Sequence, residues 1–284
     1  MLKQEESMSL KSRYDNVANS YTTASDHFGG ISLSHEYAIR QIINVGFDSP
    51  PPYNILDLGV GNGAFLQKLQ LHFPESHFTG IDISAEMLKL AQKALPSLVT
   101  IKASATEANQ FLPEDSQALV IAHFINAYIP IDLLFNQAHL LTSSHQYFSM
   151  ITTSYDSFRN GQLQLEKFCS KKSPLNRMVR RYYKTAIQNT TVAQNERELM
   201  QAFTNHQFEI VDHQRVTIPI TFDNVDDLFL FGIEGAWFLN GIPSTFLPKK
   251  FIRWIWRLAI CKIITFPYKD THVIDVVLAR KRLK

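Results

Sequence analysis

Two acids and three glycines are the residues of this chain best spaced for chemistry. Asp57, Gly59, Gly61 and Gly63 fall within Tyr53-Asn-Ile-Leu-Asp-Leu-Gly-Val-Gly-Asn-Gly-Ala-Phe65, and Asp82 lies in Gly80-Ile-Asp-Ile-Ser84. Ile55, Leu56 and Leu58 form the short apolar run expected of a strand buried on both faces. The glycines let the backbone turn sharply and approach a ligand without Cβ obstruction. From Ala64 the apolar spacing of Phe65, Leu66 and Leu69 becomes helical. Strand, turn and helix set a helix N-terminus and bare amides beneath a nucleotide-sized ligand. Read alone, Gly59-Val60-Gly61-Asn62-Gly63-Ala64 also satisfies the relaxed dinucleotide pattern G-x-G-x-x-A. Asp57 argues for another cofactor. A carboxylate two residues before the first glycine can receive an ammonium, directly or through water, whereas beside a pyrophosphate it adds like-charge repulsion. Asp82, closing the next strand, can accept both hydroxyls of a ribose, in NAD and in S-adenosylmethionine alike.

The elements that must position these residues alternate. Strands are predicted at 54–58, 78–83, 98–103, 118–122 and 147–152, with helices to about 71 and over 85–94 and 131–141 between them. This order predicts an α/β fold: a Rossmann-like, seven-stranded, mostly parallel sheet with one antiparallel edge strand and helical cap inserts. Upstream, 1–30 reads as a polar leader and a helix bearing Tyr14, Val17, Ala18 and Tyr21, ended by Gly29-Gly30. A second helix over 33–45 has Ser32 or Ser34 as its N-cap, and Ser49-Pro-Pro-Pro52 is a stiff connector. Residues 1–45 are thus an N-terminal helical cap and 46–155 the cofactor-binding core. The helical 156–200 and the apolar, aromatic 223–265 are substrate-side inserts in a single 284-residue domain. The closing strands are 208–222, placed at an edge by Pro219, and the antiparallel 273–279.

Composition narrows the class. A formal net charge of +2 gives no basic field for a nucleic-acid partner. Two cysteines, Cys169 and Cys261, make neither a disulfide framework nor a four-cysteine zinc site, so a reducing cytoplasm and no metal are expected. The longest apolar stretch, 251–266, contains Arg253, Arg257 and Lys262 and falls short of the ~20 residues of a membrane span.

The glycine segment resembles the first motif of class I S-adenosylmethionine-dependent methyltransferases, h-h-D-h-G-x-G-x-G. Asp82 matches that superfamily's ribose-binding acid. Ser84-Ala-Glu-Met-Leu-Lys-Leu-Ala91 is similar to its S-x-x-M-L-x-x-A helix, and Tyr14-Asp-Asn-Val-Ala-Asn-Ser-Tyr21 to the F-D-x-x-A-x-x-Y segment of its small-molecule branch. Leu119 to Tyr128 resembles its fourth-strand segment. The resemblance covers residues 10–150. It implies S-adenosylmethionine as cofactor and S-adenosylhomocysteine as product, with Asp57, Gly59, Val60 and Gly61 at the methionyl part. Asp82 falls at the ribose, Met87, Ser104 and Ala105 at the adenine, and Ile83, Ala122, His123 and Phe124 along the cofactor, with Tyr21 near its methionyl end and Tyr14 a further cofactor contact. The family often has Gly-Asp-Ala after strand three. Here the stretch is Ala103-Ser104-Ala105, which forgoes a charge-assisted contact. Thr221 to Gly232 also bears some likeness to the segment after strand six in malonyl-carrier methyltransferases.

Methyl transfer from a sulfonium needs alignment and exclusion of water more than acid–base machinery. His123 is the candidate general base if it faces the cleft. No Asn/Asp-Pro-Pro-Tyr/Phe segment follows strand four, and neither cysteine is placed as a nucleophile, so the expected acceptor is a small molecule, free or tethered to a carrier, with O- or carboxyl-methylation favoured. A non-catalytic S-adenosylmethionine-binding regulator and an NAD-dependent oxidoreductase are the alternatives. The acid-free basic run Lys171–Lys184 reads as a solvated helix face or a landing surface for an anionic substrate or acidic carrier. Residues 251–266 are too apolar for an ordinary surface helix, so burial against the cap or in a homodimer is expected, with membrane-surface contact as the alternative.

Overall fold

The computed structural model describes residues 12, 14, 15, 18, 21, 23–47, 50–189, 191–235, 237 and 249–282. Val17, Ser49 and much of the 223–265 insert, from 238 to 248, lie outside the described residues. The described positions between 12 and 25 are helical, and Gly29, at φ 73°, turns the chain into α1 (Gly30–Val45). Neither expected serine caps that helix. Its first amides are met by Asp26, whose carboxylate accepts from the Ile31 and Ser32 amides at 2.8 and 3.1 Å and from the Ser32 hydroxyl. An acid ahead of the helix satisfies the orphan donors and complements the dipole together.

The core elements follow in the expected order: β1 (Asn54–Leu58), α2 (Ala64–Gln70), β2 (His77–Asp82), α3 (Ala85–Ala94), β3 (Val99–Lys102), β4 (Gln117–His123), α4 (Ile131–Leu141) and β5 (Thr142–Thr153). A 3-10 turn over Ala105–Gln110 follows β3. The insert after β5 folds as α5 (Arg159–Ser170), α6 (Pro174–Asn189) and α7 (Glu196–Asn205). Then come β6 (Phe208–Phe222), α8 (Val225–Phe229), a π turn over Leu230–Glu234, α9 (Lys249–Ile263) and β7 (Tyr268–Lys281).

The seven strands lie in the order β3-β2-β1-β4-β5-β7-β6. All pairings from β3 to β5 are parallel, and β7 is antiparallel to both β5 and β6. The antiparallel strand, expected at the edge, therefore sits one place inside it, and Pro219-bearing β6 is the edge. The burial is consistent with that order: β7 is buried along nearly all its length, while β6 alternates buried and exposed positions. Side chains alternate across the sheet. Ile55 packs with Ile39 and Ile42 of α1 and Phe65 and Leu66 of α2, whereas Leu56 and Leu58 face Leu134 and Phe135 of α4 and Phe203 of α7. At the β6–β7 end, the fully buried Asp275 is held by a bidentate Arg215 at 2.8 and 2.9 Å and by His213 at 2.9 Å, and Arg215 also reaches Asp156 and Glu196.

Strand order reverses between β1 and β4, and ligands of open parallel sheets bind at the carboxyl ends beside such a switch point. The turn that follows β1 there is built on left-handed glycines. A Cβ on Gly63, φ 76°, would sit 2.9 Å from the Ala91 backbone, whereas one on Gly61, φ 53°, would meet nothing within 4 Å. Gly61→Ala is expected to cost ~1 kcal/mol of stability from the backbone conformation alone. Gly63→Ala should cost about 3 kcal/mol or more, since helix α3 cannot retreat. Urea unfolding of the two variants measures the difference, and equal losses would contradict this packing.

Candidate functional site

The turn after β1 is tied to the end of β2. Gly59 and Val60 donate their amides to the Ile81 carbonyl at 2.8 and 3.0 Å, and the Gly61 amide reaches the Asp82 carboxylate at 3.0 Å. The other Asp82 oxygen accepts from the Ser84 amide at 2.8 Å. Ser84 caps α3 by accepting from the Met87 amide at 3.1 Å, and its hydroxyl donates to Asp15 at 2.5 Å, bringing the N-terminal helix onto the site. One carboxylate thus sets the glycine turn, and its serine neighbour holds the helix above.

Asp57 has no such support. It is 3% exposed, and its Oδ1 has no hydrogen-bond partner among the described residues. Burial, with the nearby Asp82 charge, pushes its pKa up to about 8. Burial also raises Asp82, partly offset by the amides of Ser84, Gly61 and Ile83. Two neighbouring acids with no paired cation among the described residues form an environment that a positively charged ligand would relieve.

Beyond β4 lies a cavity of about 50 Å³ lined by Tyr14, Tyr21, Phe124, Asn126, Ala127, Tyr128, Thr153, Gly235 and Trp237. Tyr14 meets Tyr21 and Tyr128 edge-on at centroid distances of 6.2 and 5.6 Å, and Phe124 meets Trp237 at 5.2 Å. None of the nine lining residues carries a charge. Burial is the main cause that holds the Tyr14 and Tyr21 phenols well above their ordinary pKa, so they remain protonated. Phe124 has φ 56°, a left-handed conformation that a bulky residue adopts only where its surroundings impose it. Asn126 is 1% exposed; its Oδ1 accepts from Thr152 Oγ1 at 2.5 Å while its Nδ2 has no partner among the described residues. A larger depression, about 640 Å³, opens beside Glu196, Arg197 and Arg215, but its acids are already taken up by Arg215.

His123 lies on the α1–α2 side of the sheet. Its ring is 4.3 Å from Phe65 and 5.8 Å from His35, and Nε2 is 3.0 Å from the Ser149 hydroxyl. It does not line the cavity among the described residues, and burial, with His35, holds its pKa well below the ordinary imidazole value. A ring so placed is neutral and a poor proton acceptor. Ser104 is occupied as well: its hydroxyl bonds Thr106 Oγ1 at 2.8 Å and caps the 3-10 turn. Ala105, Ala122 and Met87 are buried, and Ile83 is half-buried. The glycine turn, Asp57 and Asp82 are brought together with Tyr14 and Tyr21 close by. Asn126, Tyr128 and Trp237 were not foreseen as lining residues. Tyr128 ends the fourth-strand segment singled out in sequence, whereas nothing near Trp237 marks it.

Residues 55–144 match the family model of a methyltransferase domain. The sheet order, the switch-point turn and that match agree. Over residues 55–144 the chain is similar to methyltransferases, and its sheet order is that of the class I fold. The malonyl-[acyl-carrier protein] O-methyltransferase of Bacillus cereus is 28% identical over 83 residues, 29% of either chain. The trans-aconitate 2-methyltransferase of Acidovorax sp. is 44% identical over 54 residues, 19% of this chain and 21% of its own. The chain spans only about a fifth to a third of the length of the curated relatives it matches. Among solved structures, the YcgJ protein of Bacillus subtilis superposes with a TM-score of 0.56 at 14% identity, covering 88% of this chain and 100% of YcgJ. At that identity the likeness concerns the fold.

The unsupported Asp57 has a measurable cost. Its folded pKa, about 8, lies above the 3.8 of the unfolded chain, so between those values the folded state holds a proton the unfolded state has released. Its contribution to stability is therefore full below pH ~4 and falls as pH rises toward 8. Asp57→Asn is expected to melt at a higher temperature than the parent at pH 8, with the gap closing toward pH 4. A variant less stable at pH 8 would contradict the burial argument.

Proposed function

We propose that this methyltransferase uses S-adenosylmethionine to methylate a small-molecule acceptor at an oxygen, most simply a carboxylate, free or tethered to a carrier protein, releasing S-adenosylhomocysteine. The observation that carries the cofactor assignment is the buried, unpartnered Asp57 oxygen beside a turn where the space above Gly61 is open. A cation fits that acid, and a ligand can lie against that backbone. In this reading Asp57 receives the ammonium and Asp82 the ribose hydroxyls. Gly59, Val60, Gly61 and Ile83 form the floor, Met87, Ser104 and Ala105 the adenine side, and Ala122 and Phe124 the far wall. Tyr14 and Tyr21 cover the methionyl end and exclude water.

When bound, S-adenosylmethionine supplies a methyl group already activated by its positive sulfur. The residues present then decide which acceptors can use it. Among its described lining residues the cavity beyond β4 offers hydroxyl and amide donors but no base: its phenols stay protonated, and His123 is neutral and turned beneath the sheet. An acceptor that arrives ionised, as a carboxylate does, needs no base, whereas a phenol, alcohol or amine usually does. The names of the two relatives, one specifying O-methylation of a malonyl carrier and the other methylation of trans-aconitate, support the same class.

Calorimetry with S-adenosylhomocysteine tests the cofactor. Binding should strengthen from pH 6 to 7.5 with net proton release, because the ammonium draws Asp57 into its ionised form. Asp57→Ala should lose roughly 10–100-fold in affinity. Binding of NAD in place of either cofactor form would end this reading. For the acceptor, radiolabelled methyl transferred to small molecules of a cell extract should be released as volatile methanol by mild alkali. Alkali-stable label would place the methyl on nitrogen, carbon or an ether oxygen instead.

A further inference from the structure

Helices α5, α6 and α9 pack around a small core of their own, with Cys169 of α5, Val179 of α6 and Ala259 of α9 buried at its centre. The sequences of α6 and α9 are one-sided in charge. In sequence α6 carries Arg177, Arg180, Arg181 and Lys184, and α9 carries Lys249, Lys250, Arg253, Arg257 and Lys262; neither contains an acid. With a net charge of only +2 for the whole chain, the remainder is net acidic. Arg180 and Arg257 among these cations have structural tasks. Arg180 donates to the Cys169 carbonyl, and Arg257 pairs with Asp226 of α8. Arg177, Arg181 and Lys184 form an exposed stripe at positions i, i+4 and i+7 of α6, and Lys171 and Lys172 are exposed just before it.

The exposed stripe of α9 is of another kind. Trp254 is 56% exposed and Leu258, one turn on, 47%, followed by exposed Cys261 and Lys262. An indole and a leucine displayed on an acid-free basic helix match the composition of helices that lie in the plane of a membrane, apolar side chains in the acyl boundary and cations at the headgroups. No helix among the described residues is long and apolar enough to cross a membrane.

We propose that the α5–α6–α9 unit docks on anionic lipid surfaces, with Trp254 and Leu258 entering the interface and the basic stripe of α6 meeting the headgroups. A lipid surface is favoured over an acidic carrier protein because charge alone would serve a carrier, and the exposed indole and leucine would then have no apolar phase to enter. Through the Arg257–Asp226 pair α9 is linked to α8, and the π turn after α8 leads to Gly235 and Trp237 at the cavity, so docking would set the methyltransferase beside acceptors held at that surface. The docking itself is independent of the cofactor assigned above.

The test is co-sedimentation of the full chain with vesicles of phosphatidylcholine alone and with a quarter phosphatidylglycerol, at low and high salt. Binding is expected only to the anionic vesicles and should fall steeply with salt. The triple variant Arg177→Glu, Lys184→Glu and Lys262→Glu should weaken it by roughly 100-fold or more, since each headgroup cation contributes about fivefold. Leu258→Ser, at an exposed site, should weaken it severalfold while circular dichroism and melting stay those of the parent. Equal binding to neutral vesicles, no vesicle binding, or binding indifferent to the triple charge reversal would overturn the proposal. Loss of vesicle binding accompanied by charge-dependent capture of a purified acidic carrier protein, or by a concentration-dependent dimer, would reassign the surface to that occupant.

Discussion

Everything at the switch point depends on how two carboxylates, the buried Asp57 and the half-buried Asp82, are treated. Asp82 is tied down by the Gly61 and Ser84 amides, and through them it sets the glycine turn, the start of α3 and the seat of the N-terminal helix. Asp57, on the next strand, has an oxygen with no partner among the described residues and a proton it holds to about pH 8. The contrast with Asp275 shows that this is not a general feature of the chain. Asp275 is buried as deeply, yet Arg215 and His213 outweigh the effect of burial and hold its pKa below the ordinary carboxylate value. A buried acid supplied with partners holds strands together; one left without them is destabilising until a ligand brings the charge.

Much of this was legible in the chain because it rests on local rules. The boundaries of β1, α3, α4 and β6 follow from apolar spacing, and the glycine turn from residues only it would use. Asp57 and Asp82 could be paired in advance because parallel strands put their carboxyl ends side by side. Legibility stopped where position depends on distant packing. The cap of α1 is Asp26 rather than a serine, since the chain reverses at Gly29 and carries that carboxylate over the helix start. The place of β7 inside the edge could not be read from its own residues, because burial on both faces is satisfied equally by several strand orders.

The site shows the same division. Phe124, singled out with the fourth-strand segment, lines the cavity, although the left-handed turn that places it left no trace in composition. His123 fell on the other side because side chains alternate along β4, and one residue decides between the cavity and the space beneath α1. Trp237 enters from more than a hundred residues away, through a helix and π turn whose register nothing nearby in sequence announces.

The interior position of β7 has a consequence for the order in which the molecule can assemble. β3 through β5 pair among themselves with β1, β2 and β4 between them, so the half that carries Asp57 and Asp82 can form its hydrogen bonds once residue 153 has left the ribosome. β6 cannot join that sheet alone: its partner among the described strands is β7, synthesised after it and after the intervening cap. Until residues 268–281 leave the ribosome, one flank of β5 and all of β6 are unpaired edges, the state in which a nascent chain most readily pairs with the wrong neighbour. The half that carries Asp57 and Asp82 is thus the early part of this protein, and β7 is the keystone that admits β6 to the same sheet.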